Sequence, residues 1–364
     1  MGIGFDGIIR RWYDAAMKVL IAMSGGVDSS AAAGIMKERG AQCIGATMQL
    51  YAPLKDIEAA KAVAAKLCIP HYVFDFGADF ETHVIRPFIE AYKNGRTPNP
   101  CVCCNRHLKF RALLDKAEEL GCDHIVTGHY AGVEKRLQED GTYRYVLRKS
   151  SNTAKDQSYV LSMLTQEQLS KCIFPLEGLS KDETRRFAEN AGLETADKPE
   201  SQDICFVPNG RYAEFIEAHE SMTFPEGNFR DEQGNVMGRH KGIIRYTVGQ
   251  RKGLGIAAGR PVYVKEIDPQ TNEVILCDNE RLFTDTIVSY DFNWVSITRP
   301  AEAFYAKARI RYQHEEQPAW IFPEKDGSLR IRFDEPQRAI TPGQTVVVYD
   351  GDLVIGGGTI DLKK

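Results

Sequence analysis

No stretch of the chain approaches the roughly 18 consecutive apolar residues that a membrane-spanning helix needs, so a helical membrane protein is excluded and no membrane partner is expected. There is no internal repeat and no low-complexity segment, which excludes a repeat architecture. The first 16 residues carry Arg10, Arg11 and Asp14 and lack a small-residue cleavage site, so they do not read as a secretory leader. Met17 directly precedes the first apolar run and reads as the original start, with residues 1–16 as an N-terminal extension. The Gly-x-x-x-x-Gly-Lys-Ser/Thr loop of Walker-type nucleotide sites is missing too. The nine cysteines are odd in number and scattered, and no second pair stands at zinc-finger spacing. That pattern argues against a disulfide scaffold and for reducing, cytoplasmic surroundings.

What is present starts with Lys18-Val-Leu-Ile-Ala-Met-Ser-Gly-Gly-Val-Asp-Ser-Ser30. An apolar, β-prone run ends in a small-residue turn, and an alanine-rich helix opens at Asp28. Two glycines allow a tight turn that aims amide groups and a helix N-terminus at an anion. A glycine pair after a strand is often only a turn. The full string Ser24-Gly25-Gly26-Val27-Asp28-Ser29 is more specific, and looks like the pyrophosphate loop of enzymes that split ATP between its α- and β-phosphates and activate an oxygen as an adenylate.

Strands and helices then alternate: strand 18–23, helix 28–39 closed by Gly40, strand 43–50, helix 55–67, strand 71–76, a helix near 78–93, helix 108–120 closed by Gly121, and strand 124–128. This order predicts an α/β class with a doubly wound parallel sheet, its ligand crevice at the carboxyl ends of the strands, where Ser24, Met48 and Gly128 fall. A capping box, Ser180-Lys-Asp-Glu183, opens a last helix. Beyond about residue 215 short β-rich runs at 262–267, 272–277, 305–312, 329–333 and 345–349 alternate with Gly, Pro and Asp-Gly turns. The expected domains are a catalytic domain at 17–215, a small linker domain at 216–285 and a C-terminal β-barrel at 286–364.

The net charge of −4 conceals an asymmetry. Lys93, Arg96, Arg106, Lys109 and Arg111 fall in an acid-free stretch between Ala91 and Leu114, and Arg239, Lys241, Arg245, Arg251, Lys252 and Arg260 in a second between Arg239 and Arg260. Removing those eleven charges leaves −15 on the remainder, so an acidic body carries two basic stretches suited to nucleic acid, or to solvent-exposed loops. Cys43, Cys68, Cys122, Cys172 and Cys277 stand singly among apolar residues and read as core fillers. Cys101, Cys103 and Cys104 lie in a Pro-rich, basic segment read as an extended loop, and Cys205 follows Glu200-Ser-Gln-Asp-Ile. Electropositive loops expose sulfur and lower thiol pKa, which suits nucleophiles.

Together the pyrophosphate loop, Thr97-Pro-Asn-Pro with Cys104-Asn105, Thr127-Gly-His-Tyr130, Lys155-Asp-Gln-Ser158, Ser201-Gln-Asp-Ile-Cys-Phe206 and Thr247-Val-Gly-Gln-Arg-Lys-Gly-Leu254 resemble the bacterial MnmA family of tRNA-specific 2-thiouridylases, from Met17 nearly to the C-terminus. The resemblance implies a PP-loop ATP pyrophosphatase domain of the adenine nucleotide alpha hydrolase kind. It implies adenylation of the wobble uridine O2 and its replacement by sulfur, with ATP and Mg²⁺ consumed on a tRNA substrate. The sulfur would come as a persulfide from a relay fed by a cysteine desulfurase. Cys205 would bear that persulfide and Cys104 would be the partner nucleophile, closing a Cys104–Cys205 disulfide. Ala22, Met23, Ser24, Gly25, Gly26, Val27, Asp28, Ser29, Met48 and Gly128 would contact ATP, with Asp28 serving the Mg-ATP chemistry. Asn99, Pro100 and Cys101 would line the target base. Lys155, Asp156, Gln157, Arg311 and Tyr312 would touch the tRNA, as would Arg251 and Lys252 of the second basic stretch.

The chain departs from the family's usual pattern at Cys101, where many members carry Asp. The extra thiol offers Cys101, Cys104 and Cys205 as a three-cysteine set for a [4Fe–4S] cluster able to bind sulfide, an alternative to the persulfide. Two other classes share parts of the pattern. Amide- or argininosuccinate-forming ATP pyrophosphatases have the loop but need neither cysteine pair nor basic stretches, and an RNA-binding module would not need Asp28.

Overall fold

A computed structural model describes residues 17–51, 54–138, 140–193 and 204–361, so the N-terminal extension and Ser201-Gln-Asp203 lie outside the described residues. The chain divides into two units. The first comprises the chain up to Phe80, Cys104–Phe206 and Asp352–Val354, and the second comprises Glu81–Cys103, Val207–Gly351 and the chain from Ile355.

The first unit is built on five parallel strands: β1 (Lys18–Ala22), β2 (Gln42–Gln49), β3 (His71–Asp75), β4 (His124–Val126) and β7 (Cys172–Ile173), in the order β3-β2-β1-β4-β7. Val19, Leu20 and Ile21 of β1 are fully buried, as a central parallel strand covered on both faces requires. Helix α1 (Val27–Glu38) turns Ala31, Ala32, Ala33 and Met36 inward. These short side chains bring it close to the sheet, and Ala31 and Ile35 pack with Tyr130, Leu176, Leu179 and Phe187. Helix α2 (Leu54–Lys66) follows β2. The parallel α/β sheet expected from sequence is therefore present.

Between β4 and β7 the chain forms an antiparallel hairpin, β5 (Ala131–Leu137) with β6 (Tyr143–Lys149), that sequence reading passed over. Leu353 and Val354 extend it by pairing with Arg148 and Leu147. The single helix expected near 78–93 is instead an α-turn at Gly77–Phe80, a π-helical turn at Glu81–Ile85 and an α-helix at Arg86–Lys93.

The second unit holds a four-stranded sheet of β8 (Gly227–Arg230), β9 (Val236–His240), β10 (Tyr263–Asp268) and β11 (Glu273–Cys277), in the order β10-β11-β8-β9, around a core of Phe229, Val264, Val274 and Leu276. It also holds a closed barrel of β12 (Phe283–Trp294), β13 (Phe304–Arg309), β14 (Gln317–Pro323), β15 (Leu329–Arg338), β16 (Thr345–Asp350) and, from Ile355 on, β17 (Leu353–Asp361). Pairing of β17 with β12, from Val288↔Asp361 to Trp294↔Gly356, closes it. Alternation along β15, with Leu329, Ile331 and Phe333 buried and Arg332 exposed, fills the interior and wets the outside. The helix Arg86–Lys93 belongs to this unit. There Phe88 meets Phe215 edge-on and Tyr92 stacks on Tyr212 at 4.7 Å.

Candidate nucleotide and sulfur site

Because β1, β2 and β4 are parallel neighbours, their carboxyl ends share one edge of the sheet. Ala22 through Ser29, Met48 near the end of β2 and Gly128 after β4 meet there. The loop leaving β1 is held from below: Met23 N donates to Ala46 O at 2.8 Å and Thr47 Oγ1 donates to Met23 O at 2.8 Å. It is also tied across itself. Ser24 N donates to Ser29 Oγ at 3.2 Å, and the Ser29 and Ser30 hydroxyls donate to Gly26 O at 3.0 and 2.9 Å.

Two glycines are required by geometry. Gly25 has φ +72°, and a Cβ there would stand 2.4 Å from Asp56 O. At Gly128 a Cβ would lie 2.7 Å from the Asp28 carbonyl carbon and 2.8 Å from Ser29 N, so β4's loop touches the backbone of α1's first turn. Gly26 stands at the N-cap of α1 and offers its first-turn amides no side-chain acceptor, the place an anion takes at a helix N-terminus.

Asp28, in that first turn, is gripped from two sides. Lys181 Nζ lies 2.7 Å from its Oδ1 and 2.9 Å from its Oδ2, and the Tyr130 hydroxyl donates to Oδ1 at 2.8 Å while lying 3.0 Å from Thr184 Oγ1. Sequence reading quoted Tyr130 within Thr-Gly-His-Tyr and Lys181 within the capping box, yet gave neither a role at Asp28. The box itself forms, with Ser180 Oγ accepting from Glu183 N, and it fixes the start of the helix Lys181–Asn190.

Gln157 clamps Tyr130 by both backbone groups, its Oε1 accepting from Tyr130 N at 3.0 Å and its own N donating to Tyr130 O at 2.8 Å. Asp156 is buried. Its carboxylate accepts from Ser150 N at 3.0 Å, Ser158 N at 3.2 Å and Ser158 Oγ at 2.8 Å. It thus supports the start of the helix Ser158–Leu161 from the residue before its N-cap, Gln157. His129 contacts Phe110 and Phe174 and hydrogen-bonds Thr127 Oγ1 at 2.8 Å. Burial, with Lys109 adding to it, holds its pKa well below the usual imidazole value, so the ring is neutral at pH 7.

The cysteine segment is not an extended loop. Pro100 opens a short helix, Pro100–Cys104, which runs into a π-helical turn, Asn105–Ala112. Proline is preorganised for a first helical position, and π turns recur at functional sites. The helix exposes Cys101 and buries Cys104, contrary to the expectation of an exposed sulfur there. Asn105 Nδ2, donating to Val160 O at 2.9 Å, fixes the residue after Cys104. Cys205 is exposed, beside Phe206, whose buried ring packs edge-on to Phe80 at 5.5 Å. Cys43, Cys122, Cys172 and Cys277 are buried as expected, and burial pushes the Cys43 thiol up to about 11. Cys68 is exposed, at a residue of φ +53° just past α2, and is not a core filler. Among the described residues no three His, Cys, Asp or Glu side chains gather as a metal-binding group.

Asn99, Pro100, Cys101, Arg251, Lys252, Arg311 and Tyr312 fall in the second unit. There the Thr97-Pro98 backbone is held by Gln344, and Thr97 N donates to Pro342 O at 2.9 Å. Much of the basic charge seen in sequence is offset: Arg239 pairs with Glu226, Arg245 with Glu214 and Glu217, Arg260 with Asp278, and Arg96 with Asp361. Arg251 and Lys252 are exposed. Arg311 donates to Arg338 O at 3.0 Å, and Tyr312 is exposed rather than part of the barrel core.

The fold and site define a PP-loop nucleotide-binding protein with two β-rich modules. Family models match in the same order: a tRNA methyl transferase HUP domain over residues 17–209, a tRNA methyl transferase PRC-barrel domain over 213–278 and an aminomethyltransferase beta-barrel domain over 284–360. The chain is 47% identical to the tRNA-specific 2-thiouridylase MnmA of Acetivibrio thermocellus, across 94% of this chain and 99% of that protein. It is 45% identical to the protein of that name from Clostridioides difficile, across 94% and 98%. A solved 4-thiouridine synthetase–RNA complex with bound ATP aligns at 17% identity and TM-score 0.36, over 56% of this chain and 50% of that one, too loosely for its contents to be read across. The chain belongs to the tRNA-specific 2-thiouridylase MnmA family, the tRNA-uridine 2-sulfurtransferases that carry out tRNA 2-thiolation.

Proposed function

We propose that this chain adenylates the C2 oxygen of a tRNA wobble uridine with ATP held at the Ser24–Ser29 loop, and that Cys205 delivers the sulfur. Pyrophosphate leaves as the O2–phosphorus bond forms. A Cys205 persulfide, loaded by a protein persulfide donor of the cysteine desulfurase relay type, attacks C2 and AMP departs with the oxygen. The Cys104 thiolate then attacks Cys205 Sγ, 2-thiouridine leaves with the terminal sulfur, and the resulting Cys104–Cys205 disulfide takes two electrons from an external thiol. The observation that carries the reading is that Cys104 and Cys205 belong to the same unit as the nucleotide loop. The exposed Cys205 suits loading by a donor, and the buried Cys104 suits a thiol shielded until the second step.

Asn99, Pro100 and Cys101 are proposed to meet the target base. Lys155, Arg251, Lys252, Arg311 and Tyr312 are proposed to meet the tRNA, with Asp156 and Gln157 supporting Lys155 from inside. Mg²⁺ is expected to arrive with ATP. Asp28 is the carboxylate proposed for it, and since Lys181 and Tyr130 already engage that group the steps above use no preformed metal site. A [4Fe–4S] cluster would need Cys101, Cys104 and Cys205 together, a grouping not assembled among the described residues, so no step is routed through one. A cytoplasmic location agrees with a tRNA substrate and dispersed cysteines.

The test is nucleoside mass spectrometry of unmodified tRNA incubated anaerobically with protein, ATP, Mg²⁺ and a persulfide donor. ATP-dependent 2-thiouridine is expected, lost in Cys205→Ser with ATP and tRNA binding retained. Thiolation by Cys205→Ser would remove that residue from the mechanism. Product that requires added iron would replace the persulfide by cluster-bound sulfide.

A further inference from the structure

The nucleotide loop has no lysine of its own and places a carboxylate, Asp28, in the first turn of α1, where the helix terminus would otherwise favour an anion. An uncompensated negative charge beside a bound polyphosphate costs on the order of a hundredfold in affinity. The fold supplies the missing positive charge from a helix that begins 153 residues further along the chain. Lys181 opens that helix, its backbone set by the Ser180–Glu183 capping box, and its ammonium reaches both Asp28 oxygens. Its side chain is 10% exposed while that of Asp28 is 32% exposed, so the amine lies under the carboxylate rather than out in solvent. A strap between two helices does not need burial, nor does it need to fall on the acid of the loop. An exposed pair links two helical segments elsewhere in this chain, Arg111 of Asn105–Ala112 with Glu167 of Gln166–Ser170.

We infer that Lys181 is the cation of the nucleotide site: it neutralises Asp28 in the empty loop and faces the β- and γ-phosphates when ATP is bound. The inference rests on the ATP reading above and names the residue that discriminates triphosphate from monophosphate.

Calorimetric titration of the full chain with ATP, pyrophosphate and AMP, without tRNA, tests it. Lys181→Met should weaken ATP and pyrophosphate by about 10- to 100-fold while changing AMP less than about threefold, and Lys181→Arg should restore most of the loss. ATP and AMP falling together, or neither falling, would overturn the assignment. Since Lys181→Met leaves a part-buried carboxylate alone, the double variant Asp28→Asn/Lys181→Met, which removes both charges, guards against misfolding. It should stay weak for ATP with AMP intact; wild-type affinity for ATP would reduce Lys181 to a partner of Asp28. Failure of the wild-type chain to bind ATP would strike the functional reading instead.

Discussion

Gly128→Ala is the smallest change that reaches the nucleotide loop without touching a charge. The added Cβ would sit 2.7 Å from the Asp28 carbonyl carbon, 2.8 Å from Ser29 N and 2.9 Å from Asp28 O. Ordinary contact begins near 3.4 Å, so α1's first turn or the loop after β4 must retreat by about 0.7 Å. All three neighbours are backbone, so no rotamer change absorbs the clash. Overpacking of this kind costs about 1–3 kcal/mol. At about 2.1 cal/mol/K of unfolding entropy per residue, that is a fall of roughly 1.3 °C in thermal midpoint per kcal/mol for 364 residues. The effect on chemistry is expected to be larger than the effect on stability, because misplacing a reacting group by about 1 Å costs on the order of a hundredfold. Pyrophosphate release in the presence of tRNA should therefore drop about 10- to 100-fold in a protein that remains folded. A Gly128→Ala enzyme with turnover within twofold of wild type and an unchanged midpoint would refute the claim that this glycine seats the loop.

Lys252→Glu should weaken tRNA binding and flatten its dependence on salt by about one unit of slope, read by titration at several salt concentrations; an unchanged affinity and slope would make the exposed end of the second basic stretch a bystander. His129 gives a pH signature. Its pKa is lowered in the folded chain, so below the ordinary value near 6.5 the unfolded chain takes up a proton that the folded one does not. Stability contributed by the neutral ring is therefore complete above that pH and is lost as pH falls, by up to about 1.4 kcal/mol per pH unit. Urea unfolding from pH 7.5 to 5.5 should show His129→Gln less acid-sensitive than wild type; equal slopes would contradict the assignment.

The β1–loop–α1 unit was legible because each local signal agrees: a continuous apolar run, two glycines, then alanines at buried helical positions. Lys181 and Tyr130 were not, since neither the 153-residue separation of Lys181 from Asp28 nor the 102-residue separation of Tyr130 leaves a trace in spacing. The net charge of the basic stretches was only partly legible, for a related reason. A window of composition counts Arg245 and Arg260, but their partners Glu217 and Asp278 lie outside it. A proline-rich segment suggests extended chain, although at a first helical position, as at Pro100, the same ring favours a helix. The β5–β6 hairpin escaped notice because Glu134, Lys135 and Arg136 break the apolar alternation that announces a strand.

The assignment of Glu81–Cys103 to the second unit bears on where the protein can be cut. A fragment ending at residue 209, the natural limit suggested by the HUP-domain match, would keep Phe88 and Tyr92 but lose Phe215 and Tyr212, the rings that cover them. Such a fragment would show water two large side chains that are 1% and 6% exposed in the whole chain. The unit that carries the Ser24–Ser29 loop, Cys104 and Cys205 is interrupted in sequence by Glu81–Cys103, a segment that belongs to the other unit. A single cut after residue 209 therefore does not follow the boundary between the two units.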